Sequence, residues 1–574
     1  MKNRQLAEIF ENIADLLEIK GEVIYKVLAY RRAAESLTEL GQDVNTLYRQ
    51  GRLTEIPGIG QAISEKIQEL LETGELEYYR DLTGQVPPTL TDLLEVPGLG
   101  PKRVALFWRE QGITDLESLQ AAAEAGQLQT LEGIGPKTEV NILKGLQALA
   151  NRTDRTLLGT AWPLVQELIS YLKEQPGVVE VSPGGSVRRM AETVGDLDLL
   201  AAALEPGPVM ETFLEHPAVE EIVSRGEVKT SVVLEGGLRA QLWVHPPEHF
   251  GTALQYATGA KDHNVRLREL AQSQGFSLSE HALVRTADEQ ELTFAREEDL
   301  YQTLGLPWIP PELREDRGEI QAAQSGQLPE LIREKDIRSE LHSHSTWSDG
   351  KYSIREMAEA AAAAGYQILA VTDHSGSLGI AGGLSPEELE QQREEIRGLQ
   401  QQLEGQITLL SGIELEILAD GTLDYPDDLL ARLDLVIASL HTSMRQDREQ
   451  VTRRLLNAVR NPHVDIIAHP TNRLLGEREP ADLDLDRILA AAAEHGTALE
   501  INANPRRLDL NDVYARRAAE LGIPITINTD AHSPTEFAYT LYGVAAARRA
   551  WLTAPQVINT WDKEQLLSWL RSRG

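Results

Sequence analysis

Apolar and polar positions follow three different rhythms along the 574-residue chain. Up to about residue 154, apolar side chains recur at helical spacing and are interrupted by short glycine-centred turns. Three of these turns share one form: Leu53 to Ile67 around Pro57-Gly58-Ile59-Gly60, Leu93 to Phe107 around Pro97-Gly98-Leu99-Gly100, and Leu131 to Leu143 around Gly133-Ile134-Gly135. Residues 155 to 315 change to a mixed pattern, with short strands predicted at Val178 to Val181, Asp196 to Ala201 and Leu238 to Val244. After Trp308-Ile309-Pro310-Pro311 a Gln- and Glu-rich stretch predicts a linker to about Ser339. From Glu340 the rhythm is strand then helix, with apolar runs ending at His342, Asp373, Glu414, His441, His469, Asn502 and Asp530. Seven such units predict a parallel barrel with helices outside.

The three N-terminal turns resemble the helix-hairpin-helix. Glycine permits the tight turn, and backbone amides at the following helix start face a phosphate without reading bases. Gly58, Gly60, Gly98, Gly100, Gly133 and Gly135 are the expected DNA-binding positions. Charge makes this harder, because the chain carries a formal net charge of −34 and residues 1 to 150 hold 23 acidic against 15 basic side chains. Non-specific DNA affinity comes mostly from Lys and Arg, so contacts must rest on local basic patches and backbone amides over a solubilising acidic surface. Composition is otherwise ordinary, and neither a long apolar run nor a leader at Met1 is present, which predicts a cytoplasmic protein with no membrane contact. With no cysteine, any metal must be held by His, Asp and Glu.

Those residues gather in the C-terminal pattern. His342-Ser343-His344 puts two imidazoles on one strand face, Asp349 follows in the next loop, and His374, Glu414, His441, His469, Asp530 and His532 stand at the same end of later strands. A parallel barrel brings these ends to one mouth. Lone histidines are usually solvated or capped, and His463 and His495 are read that way. Nine nitrogen and oxygen donors exceed what one ion takes and suit two or three ions of the zinc, manganese or iron kind. Glu340 to Gly350, Thr372-Asp373-His374, Gly412-Ile413-Glu414, Ala438 to His441, Ala468-His469-Pro470 and Asp530-Ala531-His532 together resemble the polymerase and histidinol phosphatase (PHP) family. The resemblance implies a distorted seven-stranded barrel, a trinuclear metal site and phosphoester hydrolysis, with His342, His344 and Glu414 at its catalytic centre. Asp373 is expected to orient His374 or another ligand, and Arg506 or Arg507 to grip a phosphate.

Upstream, Gly184-Gly185-Ser186-Val187-Arg188-Arg189 precedes Gly195-Asp196-Leu197-Asp198, a phosphate-sized loop ahead of two carboxylates on one strand face. This run resembles the nucleotidyltransferase palm of family X DNA polymerases, through Tyr256 to Arg268 and Trp308 to Arg314. The whole chain is similar to the bacterial family X polymerases that carry a C-terminal PHP domain. That resemblance implies a lyase-like helical domain at 1–80, helical DNA-binding hairpins at 81–154, a palm at 155–245, a thumb-like subdomain at 246–315, the linker at 316–338 and the barrel at 339–574. It further implies metal ligation by Asp196 and Asp198 with Mg or Mn, and triphosphate binding by Gly185, Ser186 and Arg189. Gly259, Asn264 and Arg268 would face the nucleotide, and Lys66 stands at the lyase-lysine position. The chain departs from the family at Ala240-Gln241-Leu242-Trp243, where a third aspartate is replaced by Gln241, and at Ala257 and Ala260, where Phe and Ser are usual.

The expected function is 3′-end processing of gapped or nicked DNA by the barrel, joined to a weakened polymerase and carried out by a monomer. Alternatives are a fully bifunctional enzyme that also uses deoxynucleoside triphosphates, a small-molecule phosphatase of the histidinol phosphatase type, and a non-catalytic DNA-binding scaffold.

Overall fold

Seven parallel strands in simple chain order make the largest sheet of the computed structural model, which describes residues 3–40, 44–96, 99–131, 133–153, 155–444 and 446–573. Spatial clustering divides the chain into two compact units. The first comprises Met1–Arg155, Val233–Gly237 and Lys261–Thr293; the second comprises Thr156–Val232, Leu238–Ala260 and Phe294–Gly574. The thumb-like stretch 246–315 is therefore shared between the two rather than forming a body of its own.

The first unit is mainly helical. Helices Gln61–Thr73 and Pro101–Gln111 start directly after Gly60 and Gly100, and Pro136–Thr153 starts directly after Gly135. Each hairpin is anchored by the apolar residue between its glycines: Ile59, Leu99 and Ile134 are buried in a core with Phe10, Leu37 and Phe107. Gly58 and Gly133 have φ of 77° and 80°, a left-handed conformation that a side chain would strain. Gly98 lies outside the described residues.

In the second unit, the strands expected at 178, 196 and 238 appear as β1 (Val178–Pro183), β2 (Asp196–Ala203) and, after β3 (Val219–Arg225) and β4 (Lys229–Leu234), β5 (Arg239–His245). Their order is β1-β2-β5-β4-β3. β2 and β5 run parallel with Asp198 opposite Gln241. Behind them Arg188 and Arg314 both close on Glu297 at 2.7 Å, and Glu297 and Arg314 are almost wholly buried. Burial alone would raise the Glu297 pKa, but Arg314 and then Arg188 outweigh it and hold the carboxyl far below its usual range.

The barrel strands are β6 (Ser339–Glu340), β7 (Ile368–Val371), β8 (Thr408–Glu416), β9 (Leu435–Ser439), β10 (Ile466–Ile467), β11 (Ala498–Asn502) and β12 (Ile525–Asn528). Their two-residue alternation sorts the side chains into separate cores. Ile368, Ala370, Leu435 and Ile437 point inward, while Leu369, Val371, Val436 and Ala438 pack under the surrounding helices. β6 and β12 share no ladder; one bridge between Ser343 and Ala531 closes the ring just beyond their ends. The interior is stoppered from below by Leu566 and Leu570 of the helix Lys563–Arg573.

The stretch 316–338 differs from the linker expected of it. It carries the short helix Glu319–Gln324, buries Ile320, Ala323, Leu331 and Ile332, and bonds Ile332 N to Leu552 O at 3.0 Å. Its Gln- and Glu-rich composition masks apolar residues at i and i+3, enough for one docked face. Nearby, Glu315 bonds both Arg189 of the palm and Arg549 of the barrel at 2.9 Å, so palm and barrel share a nearly buried ion cluster.

The Glu297→Ala change strands two buried guanidinium groups and is expected to cost about 3–5 kcal/mol. A shift of the urea midpoint followed by tryptophan fluorescence measures it; an unchanged midpoint would contradict the role given to this carboxylate.

Candidate active site

At the mouth of the barrel the strand period carries alternate side chains to one centre. Glu340, His342 and His344 follow at two-residue spacing through β6 and its exit, Glu414 and Glu416 end β8, and Asp530 and His532 follow β12. All nine residues singled out in the sequence are brought together. Glu414 lies at the middle: Oε2 faces His374 Nδ1 at 2.9 Å, His342 Nε2 at 3.4 Å and His344 Nε2 at 3.6 Å, while Oε1 faces His469 at 3.0 Å and His441 at 3.4 Å. Asp530 Oδ1 stands 3.1 Å from His344 Nε2 and 3.5 Å from His342 Nε2. Asp349, more exposed on its loop, reaches His532 Nε2 at 3.2 Å and His374 Nε2 at 3.6 Å.

Three overlapping groups have donor atoms close enough to share an ion: His344, Asp349, His374 and His532; His342, His344 and Asp530; and His374, Glu414 and His441. Several donors are buried and make no well-aligned hydrogen bond, among them His342 Nε2, His344 Nδ1 and the facing pair His374 Nδ1 and Glu414 Oε2. Lone pairs left this way and converging in one place are costly unless a cation takes them up, so the donor set fits a metal cluster. His469 and Asp530 also adopt left-handed φ, 27° and 56°, local strain of the kind held in place at functional sites.

Around this centre stands a ring that sequence reading missed. Glu500 accepts from His342 Nδ1 at 2.8 Å and from the His469 amide at 2.8 Å. Glu416 contacts His441 Nδ1 at 3.0 Å and accepts from the Thr442 amide and hydroxyl. Glu340 accepts from the His342 amide and from Thr529. Each of Glu340 and Glu416 stands two residues from a predicted donor, and Glu500 two from the predicted strand end Asn502, a signal the strand period supplied. Asp373 supports ligands other than His374. Its carboxylate accepts from Ser345 N, Ser345 Oγ, Ser348 Oγ and Gln392 Nε2, so it braces the loop between His344 and Asp349 and makes no hydrogen bond to His374. Of the two candidate arginines, Arg506 forms a surface pair with Glu477, whereas Arg507 turns inward to 3.7 Å from Asp530 Oδ2.

Electrostatics follow from the crowding. Burial would raise the pKa of Glu414, but His441, His374 and His342 hold it well below the carboxylate range. Burial, with His532 and His374 adding like charge, pushes His344 down to about 3. Burial would also lower His374 and His532, yet Glu414 and Asp349 raise the first to about 10, and Asp349 and Asp530 raise the second to about 9.

In the palm, Asp196 and Asp198 share one face of β2. Burial first, then the neighbouring Asp196, pushes Asp198 up to about 6. Gly185, at φ 53°, leaves no room for a side chain, since a Cβ there would fall 2.5 Å from Asp198 Oδ2. Ser186 follows in the same short turn. Gln241 donates from Nε2 to Asp196 Oδ2 at 3.1 Å. Trp243 packs under Lys229, whose Nζ lies 4.8 Å from the ring centroid. Arg189 is paired with Glu315 and donates to Thr258 O, close to Gly259. Asn264 and Arg268 are half-buried, one turn apart on helix Lys261–Ser273 of the first unit. Ala257 and Ala260, half-buried, flank Gly259. Lys66 is half-buried, its Nζ 5.0 Å from the Tyr78 ring centroid.

Comparison with known proteins covers the same regions. Family models match a helix-hairpin-helix domain at residues 1–76, a SAM-like helix-hairpin-helix tandem at 90–148, a DNA polymerase beta thumb at 253–315 and a PHP domain at 340–504. The chain is 40% identical over 574 residues, the full length of both proteins, to the DNA polymerase/3′-5′ exonuclease PolX of Bacillus subtilis. A probable phosphatase of Thermoanaerobacter is 31% identical over 245 residues, 41% of this chain and 94% of that protein. DNA polymerase lambda of Rattus norvegicus is 27% identical over 343 residues, 54% of this chain and 56% of that protein.

The raised pKa values of His374 and His532 mean that both rings carry protons near neutrality in the metal-free protein and must lose them to coordinate. Below about pH 9 protons compete with the cation, so affinity is expected to climb as pH rises and to flatten above about 9 to 10. Burial would lower His342, yet Glu500 and Asp530 outweigh it and hold that ring well above its usual range too, so about three protons should be released per loaded cluster at pH 7.5, read with an indicator dye in weak buffer. Affinity independent of pH between 7 and 9 would contradict this.

Proposed function

Because the chain belongs to the PolX family of bacterial DNA polymerases joined to a PHP domain, we propose that its barrel is a metal-dependent 3′–5′ exonuclease and 3′-end phosphoesterase. Its substrates are gapped or nicked duplexes, and the palm polymerises weakly. The observation that carries the reading is the convergence of nine donors from separate strands, with buried atoms left without well-aligned hydrogen bonds toward their centre. His342, His344, Asp349, His374, Glu414, His441, His469, Asp530 and His532 would hold two or three zinc, manganese or iron ions. Glu414, whose oxygens face different imidazoles, would be one of the central ligands. When bound, such ions lower the pKa of a shared water and offset charge on the phosphate. The chain's own part is orientation. Glu500 and Glu416 accept from the Nδ1 atoms of His342 and His441, which leaves each Nε2 lone pair aimed inward.

For the palm, the Gln241 contact favours weakened activity over a fully bifunctional enzyme. An amide donates where a third carboxylate would bind Mg or Mn and help take the primer hydroxyl proton. Deoxynucleoside triphosphates would then be poor substrates, with Gly185, Ser186, Arg189, Gly259, Asn264 and Arg268 as the nucleotide contacts. Hairpin glycines at both ends of the first 150 residues support DNA over a small phosphate ester as substrate. Lys66 is the proposed lyase amine, supported by its half-buried place at Tyr78. We place the protein in the cytoplasm as a monomer; among the described residues no helix is long and apolar enough to cross a membrane.

On a gapped duplex, 3′ shortening is expected to vanish in a His342→Ala, His344→Ala double variant and to persist in Asp196→Ala. Loss of shortening in Asp196→Ala alone would move hydrolysis out of the barrel. Restoring the acid with Gln241→Asp should raise primer extension in Mg about tenfold or more, the scale of a recovered catalytic contact. Parent-level extension in that variant would show that Gln241 is not what limits the palm.

A further inference from the structure

Beside the metal-ligating cluster four arginines crowd two loops of the barrel mouth, and they are not alike. Arg506 is neutralised by Glu477, through contacts of 2.6 and 2.7 Å. Arg473 is neutralised by Glu192 and bonded to the carbonyls of Arg507 and Leu508. Arg478 and Arg507, by contrast, both donate to one neutral acceptor, Asn472 Oδ1, at 2.8 and 2.6 Å. Asn472 is buried, and its Nδ2 is fixed by Leu440 O, so its carbonyl oxygen is the atom turned to the two guanidinium groups. Among the described residues Arg478 has no carboxylate at ion-pair distance, and Arg507 has only Asp530, whose charge belongs to the metal-ligating set.

Two cations held side by side on an uncharged oxygen, with Glu477 and Asp509 acting on Arg478 only from beyond ion-pair distance, leave positive charge that no carboxylate of the protein takes up directly. Guanidinium forks match phosphate oxygens in geometry as well as charge. We propose that Arg478 and Arg507 form a subsite for the DNA phosphate next to the one being cut, on its 5′ side. Arg507 stands at the rim of the cluster and Arg478 one side chain farther out, so the pair continues outward from the reacting centre. The subsite rests on the exonuclease reading above and deepens it: it favours a strand with a second phosphate over a small phosphate ester.

The test uses the full-length, metal-loaded protein and a short single-stranded oligonucleotide, either all phosphodiester or with one neutral methylphosphonate beside the terminal linkage. In the parent the neutral linkage should raise KM about tenfold, the size of one charge-assisted contact. In Arg478→Ala the all-phosphodiester strand should suffer part of that rise, and the methylphosphonate should add less than it does in the parent, Arg507 supplying the remainder. Arg478→Lys should recover part of the loss. Elemental analysis should find parent metal content in each variant; a fall would mean that the change only loosened the cluster, and would overturn the subsite. A methylphosphonate penalty undiminished in Arg478→Ala, or a parent that shortens both strands equally well, would overturn it too. A parent that hydrolyses a phosphomonoester but shortens neither strand would instead remove the exonuclease reading itself, and the subsite with it.

Discussion

Carboxylates sealed from water must be compensated, and this constraint organises the barrel. Glu414 is almost fully buried and Asp530 nearly so, and both are surrounded mainly by imidazoles, with Arg507 also reaching Asp530. Imidazole is the economical choice, because a neutral ring offers a lone pair without adding a fixed charge. Such an arrangement is poor as a purely structural core, since apolar residues of like volume would cost less to bury. It makes sense around cations. The parallel strands, the single closing bridge at Ser343 and Ala531, and the outer carboxylates Glu340, Glu416 and Glu500 all serve to hold these groups at contact distance.

Much of this was legible because strand geometry is simple. Seven apolar runs, six of which stop at a histidine or carboxylate and one at Asn502, give both the barrel and the face on which its donors meet. The outer carboxylates were harder to see, since Glu340, Glu416 and Glu500 sit within or beside the apolar runs and look like ordinary interruptions. Asp373 meets the alternative expected of it, another ligand, through the loop that carries His344 and Asp349, and does not meet His374. Its neighbour along the chain is His374, but the backbone turns the two side chains apart, and a loop 28 residues earlier supplies the hydrogen bonds through Ser345. Nor does spacing separate Arg506 from Arg507, which are adjacent in a loop without a period. The segment at 316–338 hid its docked face behind glutamine and glutamate.

The palm carries the departure already visible in the sequence at Gln241. β2 and β5 align Asp198 with Gln241 as the two strands of such a site should. Replacing carboxylate by amide reverses the polarity of the contact with Asp196, from repulsion that a cation relieves to a hydrogen bond that needs none. Arg189 is likewise engaged by Glu315, which Arg549 of the barrel shares. An incoming triphosphate would have to compete for that arginine against Glu315, a carboxylate that a barrel arginine also holds.

The helix that stoppers the barrel from below has an implication for how the protein comes into being. Leu566 and Leu570 fill the inner well, yet they are translated after all seven strands. While the ribosome is still reading that last stretch, the well is lined with exposed aliphatic side chains, and the strands above it have nothing to settle on. The barrel's inner core is thus completed only once the helix Lys563–Arg573 has been made, so the donors at its mouth gain their full support late in synthesis.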